Sequence, residues 1–135
     1  MTKRLPPPDL TPERLKARDW WSGADLYLIV DDYDLVATGT SNPLLPLLDL
    51  LPQARDIGLH LIIGRASGGA ARAMFEPVLQ RLKELGSPML MLSGSRDEGA
   101  LTGNVRAEPF PPGRGRLVTR RGVALIQTAY LPPAG

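Results

Sequence analysis

Apolar residues fall along the chain in short unbroken runs separated by stretches of helical spacing, which predicts alternating buried strands and helices. Leu26-Tyr27-Leu28-Ile29-Val30 is apolar at every position and ends in two acids. A run of strand length without polar alternation suits a central parallel strand buried on both faces. His60-Leu61-Ile62-Ile63 predicts a second buried strand and Met89-Leu90-Met91-Leu92 a third. Residues 44–56, dense in leucine, predict a helix; Pro46 is tolerated in its first turn, whereas Pro52 kinks or ends it. Ala71, Met74, Phe75, Val78, Leu79, Leu82 and Leu85 then recur at helical spacing. Pro77 interrupts that stripe, so one amphipathic helix and a turn followed by a helix from near Glu76 are equally allowed.

At the start, residues 1–10 are proline-rich and read as an extended lead-in to a single domain over 11–135. Thr11-Pro12-Glu13 combines a capping hydroxyl, proline at the first helical position and an early carboxylate, predicting a helix that runs to Trp20 or Trp21. Near the end, a loop rich in proline and glycine (108–115) leads to strands near 116–119 and 123–128, joined as a hairpin through Arg120-Arg121-Gly122. The order predicts an α/β fold with a mostly parallel sheet and a C-terminal β-hairpin.

Composition narrows the class. The 135 residues suffice for one domain with a core, and 43% apolar with 22% charged residues is a globular composition. A formal net charge of +2 makes no case for nucleic acid or membranes, although Arg106, Arg114, Arg116, Arg120 and Arg121 crowd the last third. Without cysteine, disulfides, thiol catalysis and cysteine-ligated metals are excluded. No apolar run approaches the roughly 20 residues of a membrane span, and nothing at the start reads as a signal peptide, so a cytoplasmic location is expected.

The chemistry concentrates at Asp31-Asp32. Acids directly after a buried strand stand at the sheet edge where open α/β folds bind ligands. In nucleotide hydrolysis a first carboxylate there holds Mg²⁺, often through water, and a second polarises the attacking water. Asp31 fits the first role and Asp32 the second, one methylene shorter than the usual glutamate. The plain alternative is a solvated pair at a strand end. A response-regulator receiver domain also carries such a pair, but it needs a phospho-accepting aspartate at the end of a later strand. Between Asp34 and Asp97 there are only Asp49 and Asp56, both in the stretch predicted as helix. A P-loop ATPase needs Gly-x-x-x-x-Gly-Lys-Ser/Thr to cradle phosphates; the chain contains no such run, and Ser67-Gly68-Gly69 lacks the lysine and reads more simply as a turn. His60, the lone histidine, reads as a hydrogen-bonded core residue. Trp20-Trp21 reads as packing against the sheet, with a docking patch as the alternative.

Ordered segments extend the picture: residues 26–36, Asn42-Pro43-Leu44, the run from Gln53 to Ile63, Ser93-Gly94-Ser95-Arg96-Asp97-Glu98 and Pro111-Pro112-Gly113-Arg114-Gly115-Arg116. Together they resemble the C-terminal ATPase domain of EccC, the FtsK/SpoIIIE-type motor of ESX (type VII) secretion, over about Leu5 to Pro133. The resemblance implies a partial RecA-like P-loop NTPase core that begins after the Walker A strand and loop, with 26–31 as the Walker B strand. It implies ATP and Mg²⁺ as ligands, Asp31 as the nucleotide- and metal-side acid, and Asp32 polarising water. It also implies as partners the C-terminal signal of Esx-type (WXG100) substrates and sibling EccC ATPase domains; the helices predicted at 44–56 and 70–85 are where a docking pocket would be sought. Membrane attachment would come only through the full-length complex. FtsK-type motors typically read Ala-Thr-Gln-Arg-Pro after His-Leu-Ile-Ile, whereas this chain has Gly64-Arg65-Ala66-Ser67; Arg65 is the candidate phosphate sensor. Arg96 stands where an arginine facing a neighbouring subunit fits, with an ion pair to Asp97 or Glu98 as the alternative. Without a Walker A strand the strand from His60 has an open edge, which invites self-association. A non-hydrolysing interaction module derived from such a domain is the competing reading.

Overall fold

A computed structural model describes residues 1–135, for Thr2 the backbone alone, and the chain divides into two compact units, 1–65 and 66–135.

In the first unit, helix α1 (Pro12–Ala17) begins as expected, with the Thr11 side chain accepting a hydrogen bond from the Arg14 N–H. It stops before the tryptophans because Arg18 adopts a left-handed conformation (φ 54°) and its N–H closes on the Leu15 carbonyl. Trp20 and Trp21 then pack within the unit: their indole N–H groups donate to the Arg4 and Asp56 carbonyls at 2.9 and 2.8 Å. The Arg4 guanidinium lies 4.5 Å from the Trp21 ring centre and donates to the carbonyls of Ile57 and Ala24. The proline-rich start is thus tied to the unit through Arg4.

Strands β1 (Leu26–Val30) and β2 (Leu59–Ile63) pair in parallel, with Leu26 opposite Leu59 and Val30 opposite Ile63. The expectation that these strands are buried on both faces is corrected. Leu59 and Val30 are buried, but Tyr27, Ile29 and Ile62, which point to the opposite face, are 59%, 69% and 51% exposed. Among the described residues of this unit, that face is largely exposed. Residues 44–56 also depart from the expected helix, forming two 3-10 turns, Leu45–Leu47 and Leu51–Gln53. Pro46 and Pro52 each sit at the start of one turn, where a missing N–H costs nothing, and Pro52, with no N–H to donate to the Leu48 carbonyl, stops the first turn from continuing as an α-helix. From this stretch only Leu44 and Leu51 are buried; with Ile57 and Leu59 beyond it they form core, whereas Leu45 is exposed.

In the second unit, Pro77 divides the apolar stripe into α3 (Ala70–Ala73) and α4 (Pro77–Glu84), the second of the two allowed outcomes. The Glu76 carboxylate caps α4 by accepting from the N–H groups of Val78 and Leu79, both at 3.1 Å. Strand β3 (Met89–Met91) joins the C-terminal hairpin rather than the parallel pair. Strands β4 (Ala100–Thr102) and β5 (Val105–Arg106) form a small antiparallel pair, and the sheet of β3, β6 (Arg114–Thr119) and β7 (Gly122–Gln127) is antiparallel throughout, in the order β3-β6-β7. Gly115 allows β3 to approach, since a Cβ there would run into the Met91 carbonyl. Ala70, Met91, Leu101 and Ala107 form the core of this unit, with Ala71, Met89, Val105 and Val118 against it. The fold is therefore α/β, with one parallel pair and an antiparallel hairpin sheet.

Candidate functional site

The end of β1 delivers the acidic pair to the edge of the parallel sheet. Two backbone bonds join the ends of the strands: the Gly64 N–H donates to the Val30 carbonyl at 2.8 Å, and the Gly64 carbonyl accepts at 2.9 Å from the Tyr33 N–H, skipping Asp32, where the ladder breaks. Asp31 therefore stands laterally beside Gly64, on the same face as Tyr27 and Ile29 by strand alternation. Asp31 Oδ1 accepts the Asp32 N–H at 3.0 Å, and both acids are exposed. Asp32 is left-handed (φ 48°, ψ 50°), a conformation that aspartate tolerates better than most residues. That turn converts the strand directly into α2 (Tyr33–Val36).

Tyr33 anchors the turn from behind. It is 2% exposed, and its hydroxyl accepts from Asn42 Nδ2 at 2.8 Å. Asn42 Oδ1 in turn accepts the Leu44 N–H at 2.9 Å, so Asn42-Pro43-Leu44 braces the segment that carries the acids. Hydrophobic patterning did not identify this role; the Asn-Pro turn signal and a tyrosine directly after the acids were the available clues.

Arg65 follows Gly64, which brings its backbone to the same sheet edge as Asp31 and Asp32. Arg96 lies in the second unit, in the 3-10 turn Arg96–Glu98. The alternative ion pair of Arg96 is not formed among the described residues. Asp97 instead binds Ser95, through its N–H and its carboxylate, and Glu98 Oε2 accepts the Gly69 N–H at 2.8 Å. That last bond engages one N–H of the glycine pair at 68–69 with a carboxylate, in keeping with its reading as a turn. His60 is corrected from a core residue to a half-exposed one: its Nε2 lies 2.9 Å from Asp25 Oδ2, and its ring stacks on Tyr27 at 4.4 Å.

The donor set suits magnesium in one mode only. No cluster of three or more His, Cys, Asp or Glu side chains able to hold a metal exists among the described residues. A dedicated protein cage is therefore absent there. Magnesium commonly keeps several waters and takes one or two carboxylates together with substrate phosphates. An exposed Asp31 with one oxygen tied to the backbone and the other open to a hydrated ion fits that mode.

Comparison with known proteins relates this geometry to one group. No family model matches the chain. Over 131 residues it is 63% identical to the ESX secretion system protein EccC of Thermomonospora curvata, covering 96% of the chain and 10% of that protein. Over the same length it is 58% identical to the ESX-4 secretion system protein EccC4 of Mycobacterium tuberculosis, again covering 96% of the chain and 11% of the relative. The chain is a homologue of one segment of EccC. A solved structure of T. curvata EccC, ATPases 2 and 3 in complex with a signal sequence peptide, superposes with a TM-score of 0.91 at 62% identity. It covers 98% of this chain, which spans 24% of that one. The EccC resemblance read from the ordered segments and the α/β ATPase fold are thereby established. The chain spans about a tenth of the length of these EccC relatives.

Proposed function

We propose that this chain supplies the metal-side half of a nucleotide site in an EccC-type ATPase domain of type VII secretion. The observation that carries the reading is Asp31, exposed at the C-terminal edge of a parallel strand pair and fixed there by the Asp32 N–H. Bound magnesium supplies charge neutralisation on the β- and γ-phosphates of ATP. Asp31 would hold that ion through a water, and Asp32 would orient the water that attacks the terminal phosphate. Arg65, at the same edge, senses the phosphates, and Arg96 reaches the site of a neighbouring ATPase domain. The phosphate cradle itself comes from a Gly-x-x-x-x-Gly-Lys-Ser/Thr segment that is not among these 135 residues.

The partners follow from the same homology: sibling EccC ATPase domains and the C-terminal signal of an Esx-type secretion substrate. The signal-peptide complex of the T. curvata relative supports this class of partner. The site of action is the cytoplasmic face of the secretion complex. No helix among the described residues is long and apolar enough to cross a membrane.

The test is a segment exchange in T. curvata EccC, with this chain replacing the homologous 131 residues. Secretion of an Esx-type substrate should persist in the exchange and fail when Asp31→Ala is added at equal protein level. Secretion undiminished by Asp31→Ala would favour the non-hydrolysing interaction module instead.

A further inference from the structure

We infer that Gly64 is a positioning residue for the Asp31 carboxylate, keeping the space into which Asp31 Oδ1 turns; this rests on the metal-side role proposed for Asp31. Gly64 is not among the glycines with positive φ, so its backbone is open to any residue and glycine is not required for conformation. The space beside it is what matters. A Cβ built on Gly64 would lie 3.1 Å from Asp31 Oδ1, closer than ordinary van der Waals contact. Its other neighbours, Asp31 Cα and the Val30 carbonyl, would be at an ordinary 3.9 Å. A Cβ at position 64 is thus crowded by one atom only, the carboxylate oxygen.

That oxygen is the one that accepts the Asp32 N–H at 3.0 Å. With Oδ1 turned toward the backbone, Oδ2 is the oxygen that a hydrated cation can approach. A Cβ at 64 obliges Asp31 Oδ1 to give way by a few tenths of an ångström, which lengthens its bond to the Asp32 N–H; a branched residue presses further on the same oxygen. The strands remain paired because the Gly64 N–H and carbonyl still bond Val30 and Tyr33. Orientation of a metal-side ligand typically accounts for about 10- to 100-fold in metal affinity.

The experiment titrates Mn²⁺ into the 135-residue chain and follows paramagnetic broadening of the Asp32 and Tyr33 amide signals. The wild type should broaden selectively at these amides, and Asp31→Ala should not. Gly64→Val should need about tenfold more Mn²⁺ for the same broadening, with Gly64→Ala shifted in the same direction by less. Gly39→Ala, where a Cβ meets nothing within 4 Å, is the control and should behave as wild type. Thermal unfolding should be unchanged in Gly64→Ala; if Gly64→Val does not fold, the Gly64→Ala titration decides alone. Broadening in both Gly64 variants at wild-type Mn²⁺ concentrations, with Asp31→Ala silent, would overturn the role of Gly64 and leave the metal role of Asp31 standing. An identical response in wild type and Asp31→Ala would overturn both.

Discussion

Asn42 Nδ2 donates to the hydroxyl of the buried Tyr33 at 2.8 Å, joining the loop before the leucine-rich turns to the residue that follows the acidic pair. A hydrogen bond in such a setting contributes about 1 kcal/mol net. Tyr33→Phe should therefore lower stability by about that amount in urea unfolding. Asn42→Ala combined with Tyr33→Phe should cost less than the sum of the two changes, because both remove the same bond. Strict additivity would show that the two residues do not brace each other.

Asp32 carries the backbone cost of the turn. A β-branched residue in the left-handed region is strained, and Asp32→Val should destabilise the chain by about 1–2 kcal/mol. Asp32→Gly relieves that strain and should leave stability equal or higher. Equilibrium unfolding of the two variants side by side checks this; Asp32→Val as stable as Asp32→Gly would contradict the left-handed geometry.

The bare face of the parallel pair should make the isolated chain self-associate. Tyr27, Ile29 and Ile62 form an exposed apolar strip on one face, and β1 and β2 pair only with each other. Such surfaces and open strand edges favour association. Sedimentation velocity should show concentration-dependent association that is reduced in Ile29→Lys. A monomer across the accessible concentration range would count against this account.

ATP turnover should be undetectable for the chain alone, because no group in it cradles the β- and γ-phosphates. A steady-state phosphate-release assay on contaminant-free protein checks this. Turnover that disappears in Asp31→Ala would refute it.

Local chemistry was readable in the sequence wherever one residue type dictated the outcome. Thr11-Pro12 starts a helix, Leu26–Val30 forms a strand, and the Arg120-Arg121-Gly122 turn closes the hairpin, each as expected. Residues 44–56 misled because leucine density signals burial, not helix; the two prolines decided the local form by opening separate 3-10 turns. The β1 and His60 expectations missed for another reason. An all-apolar strand carries no mark of which face is covered, and Tyr27, Ile29 and Ile62 are exposed among the described residues. Strands β4 and β5 are too short for any periodicity to register, and β3 gives no sign in its own residues that it pairs with the hairpin. The position of Asp31 and Asp32 at the end of a strand was legible in the sequence. Gly64 was not, because its part depends on a lateral neighbour 33 positions away in the chain, which only the strand register reveals.

The most direct measurement is the magnesium dependence of ATP binding by T. curvata EccC carrying this chain in place of its homologous segment. Calorimetric titration with and without Mg²⁺, before and after Asp31→Ala, isolates the contribution of one carboxylate. The account predicts that Mg²⁺ tightens ATP binding and that Asp31→Ala removes about tenfold of that gain while leaving Mg²⁺-free binding unchanged. An equal gain from Mg²⁺ in both proteins would contradict it.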